Sequence, residues 1–176
     1  MANVAIPYAS GRGHTRRLAE VIAAALGEGG CDARLIDVEA MGKVDGIVMG
    51  APTYMGSAAA GFKAFMDETG EIWANQGWAD KIAAGFTVAT FPGGDKLNTL
   101  IQLSIFAAQH GMVWVGQDQI GAPANKANPG INESGVWLGL GATSSRDKTL
   151  MVEPGDLETA RRFGLRIARV LRRWRV

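Results

Sequence analysis

Apolar residues gather along the chain in short runs that alternate with longer stretches of helical period. Asn3–Tyr8 is an apolar run, and Arg16–Leu26 carries apolar residues at helical spacing, which predicts a strand and a helix joined by a turn of small residues. Gly27–Gly30 stops that helix, Ala33–Asp37 makes a short strand, and Asp45–Met49 makes another that ends in Gly50-Ala-Pro52. A helical pattern resumes at Ala58, with Phe62, Phe65 and Met66 at i, i+3, i+4, and runs to Gly70. Lys81–Thr90 has the apolar content of a strand buried on both faces. Phe91–Asp95 is a turn whose Asp95 is placed to cap a helix reaching Gln109, His110-Gly111 ends that helix, and Met112–Val115 is a fifth strand.

Strands that alternate with helices imply a parallel sheet covered on both sides. The expected fold is α/β, a three-layer α/β/α sandwich of the flavodoxin-like type, with a five-stranded parallel sheet in the order 2-1-3-4-5. Residues 1–176 are expected to form one domain. An excursion at 116–150, rich in Gly, Asn, Pro and Ser, breaks the rhythm, and one this long is usually functional or interfacial. The chain closes with an amphipathic helix whose apolar positions include Leu157, Ala160, Gly164, Ile167, Ala168, Leu171 and Trp174.

Composition narrows the class. Hydrophobic residues are 47% and charged residues 20%, a globular balance without a stretch long enough to cross a membrane. The first strand starts almost at once, leaving no room for a signal peptide, so the expected location is the cytoplasm. A net charge of +1 speaks against a strongly basic nucleic-acid binder and against a strongly acidic docking surface. The C-terminal arginines, Arg161 to Arg175, are expected on a solvated helix face. Cys31 is the only cysteine, and His14 and His110 are far apart in sequence, so no metal site is expected.

The turn Ser10-Gly-Arg-Gly-His-Thr15 is the most chemically suggestive segment. It places backbone N–H groups, two hydroxyls and a helix N-terminus around one point, which suits a phosphate. It is neither the dinucleotide fingerprint nor the nucleoside-triphosphate loop, and its spelling suits a monoester such as the tail of flavin mononucleotide (FMN). By itself it reads slightly better as a capped helix, with Ser10 or Thr15 as an ordinary N-cap. Pro52-Thr-Tyr-Met-Gly56 after the third strand offers Tyr54 and Met55 as surface for a flat ring, and Thr90-Phe-Pro-Gly-Gly94 after the fourth lets backbone approach a ring edge. In such sheets a ligand sits beyond the carboxyl ends of the strands, where these three turns would meet.

Ser10-x-x-Gly13-His14-Thr15, Gly50–Gly56, Phe65–Gly70 with Trp73, and Gln109–Met112 together resemble the tryptophan-repressor-binding-protein-like NAD(P)H:quinone oxidoreductases, within the flavodoxin-like NADPH-dependent FMN reductases. The resemblance covers nearly the whole chain. It implies that Ser10, Arg12, Gly13, His14 and Thr15 hold the FMN phosphate, that Pro52, Thr53, Tyr54, Met55 and Gly56 meet the ring, and that Ala89, Thr90, Phe91, Pro92, Gly93 and Gly94 meet its pyrimidine side. It further implies His110 close to the ring as the candidate for proton transfer, and Arg12 and Trp73 near the nicotinamide or quinone. The chain departs from those reductases in its short loop Val38–Lys43, in Arg12 where an aromatic is common, and in a less glycine-rich Thr90–Gly94.

The expected activity is a hydride passed from NADPH or NADH to bound FMN and on to a small-molecule acceptor such as a quinone. An electron carrier of the flavodoxin type, needing a partner reductase, is the alternative. Trp73, Trp78 and Trp137, in glycine-rich segments, are expected in an aromatic lid or a subunit contact, and the chain is expected to form a homo-tetramer or homo-dimer.

Overall fold

The computed structural model describes residues 1–35, 44–147 and 149–174. The departure noted at Val38–Lys43 lies outside the described residues. Alternation along the strands decides the layers: Val4 and Ile6 of β1 (Ala2–Ile6), Val48 of β3 (Gly46–Tyr54), and Ile82, Ala84, Phe86 and Val88 of β5 (Ile82–Ala89) enter one core. There they meet Leu18, Ile22 and Leu26 of α1 (His14–Glu28), and Phe163, Ile167 and Leu171 of α5 (Pro154–Trp174). Ile47, Met49, Ala51 and Ala83 face the other way, onto Phe62 and Phe65 of α2 (Ala60–Glu68) and Leu100, Leu103 and Phe106 of α4 (Lys96–Gln109). The central strands β3 and β5 therefore bury both faces, and the sheet lies between two helical layers.

The parallel sheet runs β2 (Cys31–Leu35), β1, β3, β5, and then a fifth place shared by β6 (Val113–Trp114) and β7 (Leu140–Thr143). This is the expected order with one correction. The excursion contains a strand: β6 pairs with the start of β5 and β7 with its end. Leu140-Gly-Ala-Thr143 is short and mostly small, so it shows none of the alternation by which strands are recognised.

Three further corrections follow from local geometry. β3 extends to Tyr54, beyond the expected turn at Pro52, and pairs antiparallel with β4 (Ser57–Ala58) through a hairpin whose tip is Met55-Gly56, both at positive φ. The helix expected from Ala58 to Gly70 divides at Thr69 into α2 and α3 (Gly70–Ala74). Asp95 does stand at the N-cap of α4, but in the left-handed region (φ 52°) and with no capping bond from its side chain.

Candidate functional site

Gly13 is the N-cap of α1, at φ 88°, a backbone conformation that glycine adopts without a Cβ clash. The cap group is Ser10, whose Oγ accepts the N–H of Gly13 at 3.1 Å and of Arg16 at 3.3 Å. Among the described residues, the N–H groups of His14 and Thr15 have no protein acceptor. They leave the positive end of α1 free at one end of a large cleft. Thr15 is buried yet contributes to the floor, and Arg12 lines the same end.

The cleft encloses about 1860 Å³ at the carboxyl ends of the strands. Ser10, Gly11, Arg12, His14 and Thr15 after β1, Pro52, Thr53 and Tyr54 of β3, and Ala89, Thr90, Phe91 and Pro92 after β5 all line it, so the three turns do converge. Tyr54 and Phe91 are both exposed and give the opening two aromatic surfaces. Tyr54 Oη lies 2.7 Å from where a Cβ on Gly11 would stand, so a larger residue there would push the end of that ring aside. The hydroxyl of Thr53 is engaged with Thr87 and Thr99, each at 2.8 Å, and is held in the sheet.

Sequence reasoning missed the far wall. Thr143 to Asp147, Met151, Glu153 and Asp156 at the junction of β7 and α5, with Gly130, Glu133 and Ser134 of the excursion, complete the cleft. These residues are dispersed in sequence and carry no motif. The only signal was the length of the excursion, which supplies those up to Asp147; Met151, Glu153 and Asp156 follow it.

Several expected site residues do not line the cleft. Gly13 stands behind the turn, Gly93 and Gly94 lie past Pro92, and Met55 and Gly56 form the hairpin tip, where Met55 is 103% exposed. Trp73 is 50% exposed on α3 and also lies off the cleft. His110 is 1% exposed and sits in the helical layer, its ring 4.6 Å from those of Trp78 and Phe106. Thr69 Oγ1 donates to Met66 O at 2.8 Å, so it accepts from His110 Nε2–H at 3.0 Å. That places a proton on Nε2 and leaves Nδ1 buried without a partner, while burial pushes the His110 pKa down and so favours the neutral ring. Trp78 is 3% exposed in this cluster and is a core residue, contrary to the lid or contact expected of it.

Under the β7 side of the cleft lies a buried charge pair. Lys96 Nζ donates to Ser134 Oγ and to Thr143 Oγ1, each at 3.0 Å, and Asp156 Oδ2 accepts the N–H of Thr143 at 2.7 Å. Burial lowers the Lys96 pKa against the attraction of Asp156. It raises that of Asp156 against the Thr143 N–H and Lys96, with Glu133 and Glu153 adding to the rise. The C-terminal arginines do more than face solvent: Arg166 and Arg169 pair with Asp118 at 3.0 Å and fasten the excursion to α5. No helix among the described residues is long and apolar enough to cross a membrane. No group of metal-binding side chains is found among them either.

Residues 38–126 match the family model of NADPH-dependent FMN reductase. Over 97% of both chains the protein is 35% identical to a flavodoxin, FldP, of Pseudomonas aeruginosa. It is 26% identical, again over 97% of both, to an NAD(P)H dehydrogenase (quinone) of Sinorhizobium fredii. The crystal structure of a WrbA-like flavodoxin from Agrobacterium tumefaciens superposes with a TM-score of 0.75 at 34% identity, covering 98% of this chain and 99% of that one.

Proposed function

The chain belongs to the NADPH-dependent FMN reductase family of flavodoxin-like oxidoreductases, and from that premise we propose that it binds FMN in the cleft and carries reducing equivalents from NADPH or NADH to a small-molecule acceptor such as a quinone. The observation that carries this reading is the open N-terminus of α1. Two unengaged N–H groups, the Ser10 and Thr15 hydroxyls and Arg12 face one end of the cleft, and that donor set fits a phosphate monoester. Tyr54 and Phe91 stand where a flat ring attached to that phosphate needs surface.

In this reading Ser10, His14 and Thr15 hold the phosphate, with Gly13 shaping the turn behind them; Pro52, Thr53 and Tyr54 border the ring, and Ala89 to Pro92 border its pyrimidine edge. When bound, FMN supplies the acceptance and release of a hydride. The residues around it position and desolvate. The cleft exceeds the usual size of a small-molecule pocket, several hundred Å³, leaving room for a second flat reactant, and Arg12 offers that reactant's phosphate a positive charge. His110 lies in the core away from the cleft, where its bond to Thr69 holds the corner between α2 and α3.

A second reading, an electron carrier served by a separate reductase, is favoured by the 35% identity to a flavodoxin. Anaerobic stopped-flow absorbance separates the two. NADPH or NADH alone is expected to bleach the bound flavin, and a benzoquinone to restore its colour. Reduction by dithionite and a partner reductase, but by neither nicotinamide, would establish the carrier instead. The reading includes a cytoplasmic homo-dimer or homo-tetramer, with no nucleic-acid partner, no membrane insertion and no metal.

A further inference from the structure

Lys96 is the first residue of α4 and is 1% exposed. Both facts disfavour a cation there, because the start of a helix is its positive pole and burial strips the ammonium of water. The fold compensates with the two hydroxyls of Ser134 and Thr143 and with the Asp156 carboxylate, which attracts Lys96 and is itself held by the Thr143 N–H. Ser134, Thr143 and Asp156 all line the cleft, so the charge lies one side chain beneath its wall. Strand order says which part of the cleft that is. The turn of Ser10 to Thr15 follows β1, and β3 and β5 stand between it and β7, which ends at Thr143. Lys96 is therefore remote from the phosphate turn and close to the end bordered by Ala89 to Pro92. The same wall carries Glu133 and Glu153, whose negative charge Lys96 opposes.

We propose that Lys96 is an electrostatic positioning residue for the flavin, a positive charge fixed under the β5–β7 end of the cleft that stabilises reduced FMN over oxidised FMN. The inference rests on the FMN reading. Two-electron reduction leaves the flavin ring anionic once its N1 proton is lost, and a buried cation on that side favours the added charge. Asp156 acts with the opposite sign. The hydroxyls of Ser134 and Thr143 fix the ammonium in place, so its field is already oriented before any electron arrives.

The test compares wild type, K96M, K96R and D156N. Dissociation constants for oxidised FMN and for dithionite-reduced FMN are measured anaerobically, together with the midpoint potential against an indicator dye. A unit charge acting across about two strand spacings is expected to weaken reduced FMN on the order of tenfold more than oxidised FMN in K96M. For a two-electron couple that lowers the midpoint potential by about 30 mV. K96R should stay near wild type, and D156N should shift the potential upward, a reversal that a loss of packing alone would not produce. Equal weakening of both redox forms in K96M, or no shift in potential, overturns this inference and leaves FMN binding intact. Failure of the wild type to bind FMN in either form overturns the cofactor reading and this inference with it.

Discussion

Thr15 and His110 show how one side chain's surroundings decide its use. Thr15 is buried at a helix start whose neighbouring N–H groups lack acceptors, so its hydroxyl is available to an anion. Thr15→Val is expected to weaken FMN by about 1–3 kcal/mol, the cost of leaving a charged acceptor short of a donor. Riboflavin, which has no phosphate, should lose much less, and fluorescence titration of both ligands checks this. His110 has the opposite character. Its folded pKa lies below the ordinary 6.5, so the unfolded chain binds the proton more readily. Its contribution to stability is complete above that ordinary value and falls away as pH drops through the window beneath it. Denaturant unfolding at pH 7.5 and pH 5.5 should therefore show a loss in wild type that is smaller in His110→Phe. Parallel pH profiles would mean that burial does not lower the His110 pKa.

Among the elements, the unit of β1, turn and α1 was legible because its signals are contiguous: an apolar run, a hydroxyl-bearing turn and a helical period follow one another within Asn3–Leu26. β7 was not, since four residues of mostly small side chain acquire their meaning only beside Phe86 to Ala89. Trp78 was misread for a similar reason. Its glycine-rich neighbours suggested a surface segment, and the fold of α3 and the turn after it carries the indole back onto Phe106 and His110. The far wall of the cleft was illegible in principle, assembled as it is from segments that meet only in three dimensions. The hairpin between β3 and β4 offers a test at this scale. Met55 occupies the left-handed region at φ 48° beside Gly56 at φ 80°, a pair of dihedrals that suits Asn-Gly. Met55→Asn is expected to stabilise the fold by about 1 kcal/mol in denaturant unfolding, because asparagine bears that conformation more cheaply than methionine.

At the scale of the whole molecule, three of the exposed apolar residues share one helix face. Leu97, Ile101 and Ile105 form an exposed stripe along α4, and Trp73 and Trp137 are half exposed. Apolar surface gathered in this way marks an interface more often than free surface. Light scattering at micromolar concentration is expected to give a dimer or tetramer, and Ile101→Asp to shift it toward monomer. A fully active wild-type monomer would refute this arrangement.

The shared fifth place in the sheet has a consequence for how this chain can be edited. Partners of β5 are numbered 31 ahead at Ile82 and Ala83, and 54 ahead from Phe86 onward, so 23 residues are looped out between the two pairings. Ala84 and Gly85 stand between the paired stretches, which makes Val115 and Gly139 successive positions of what would otherwise be one continuous strand. The base of the loop is already closed, with the Gln117 N–H donating to Trp137 O at 2.8 Å. Residues 116–138 are thus a cassette whose two ends meet at one joint. A cassette joined in this way can change in length or sequence without changing the register of the sheet. It carries to the cleft only Gly130, Glu133 and Ser134, while Thr143 and Asp156 stay fixed by β7 and α5.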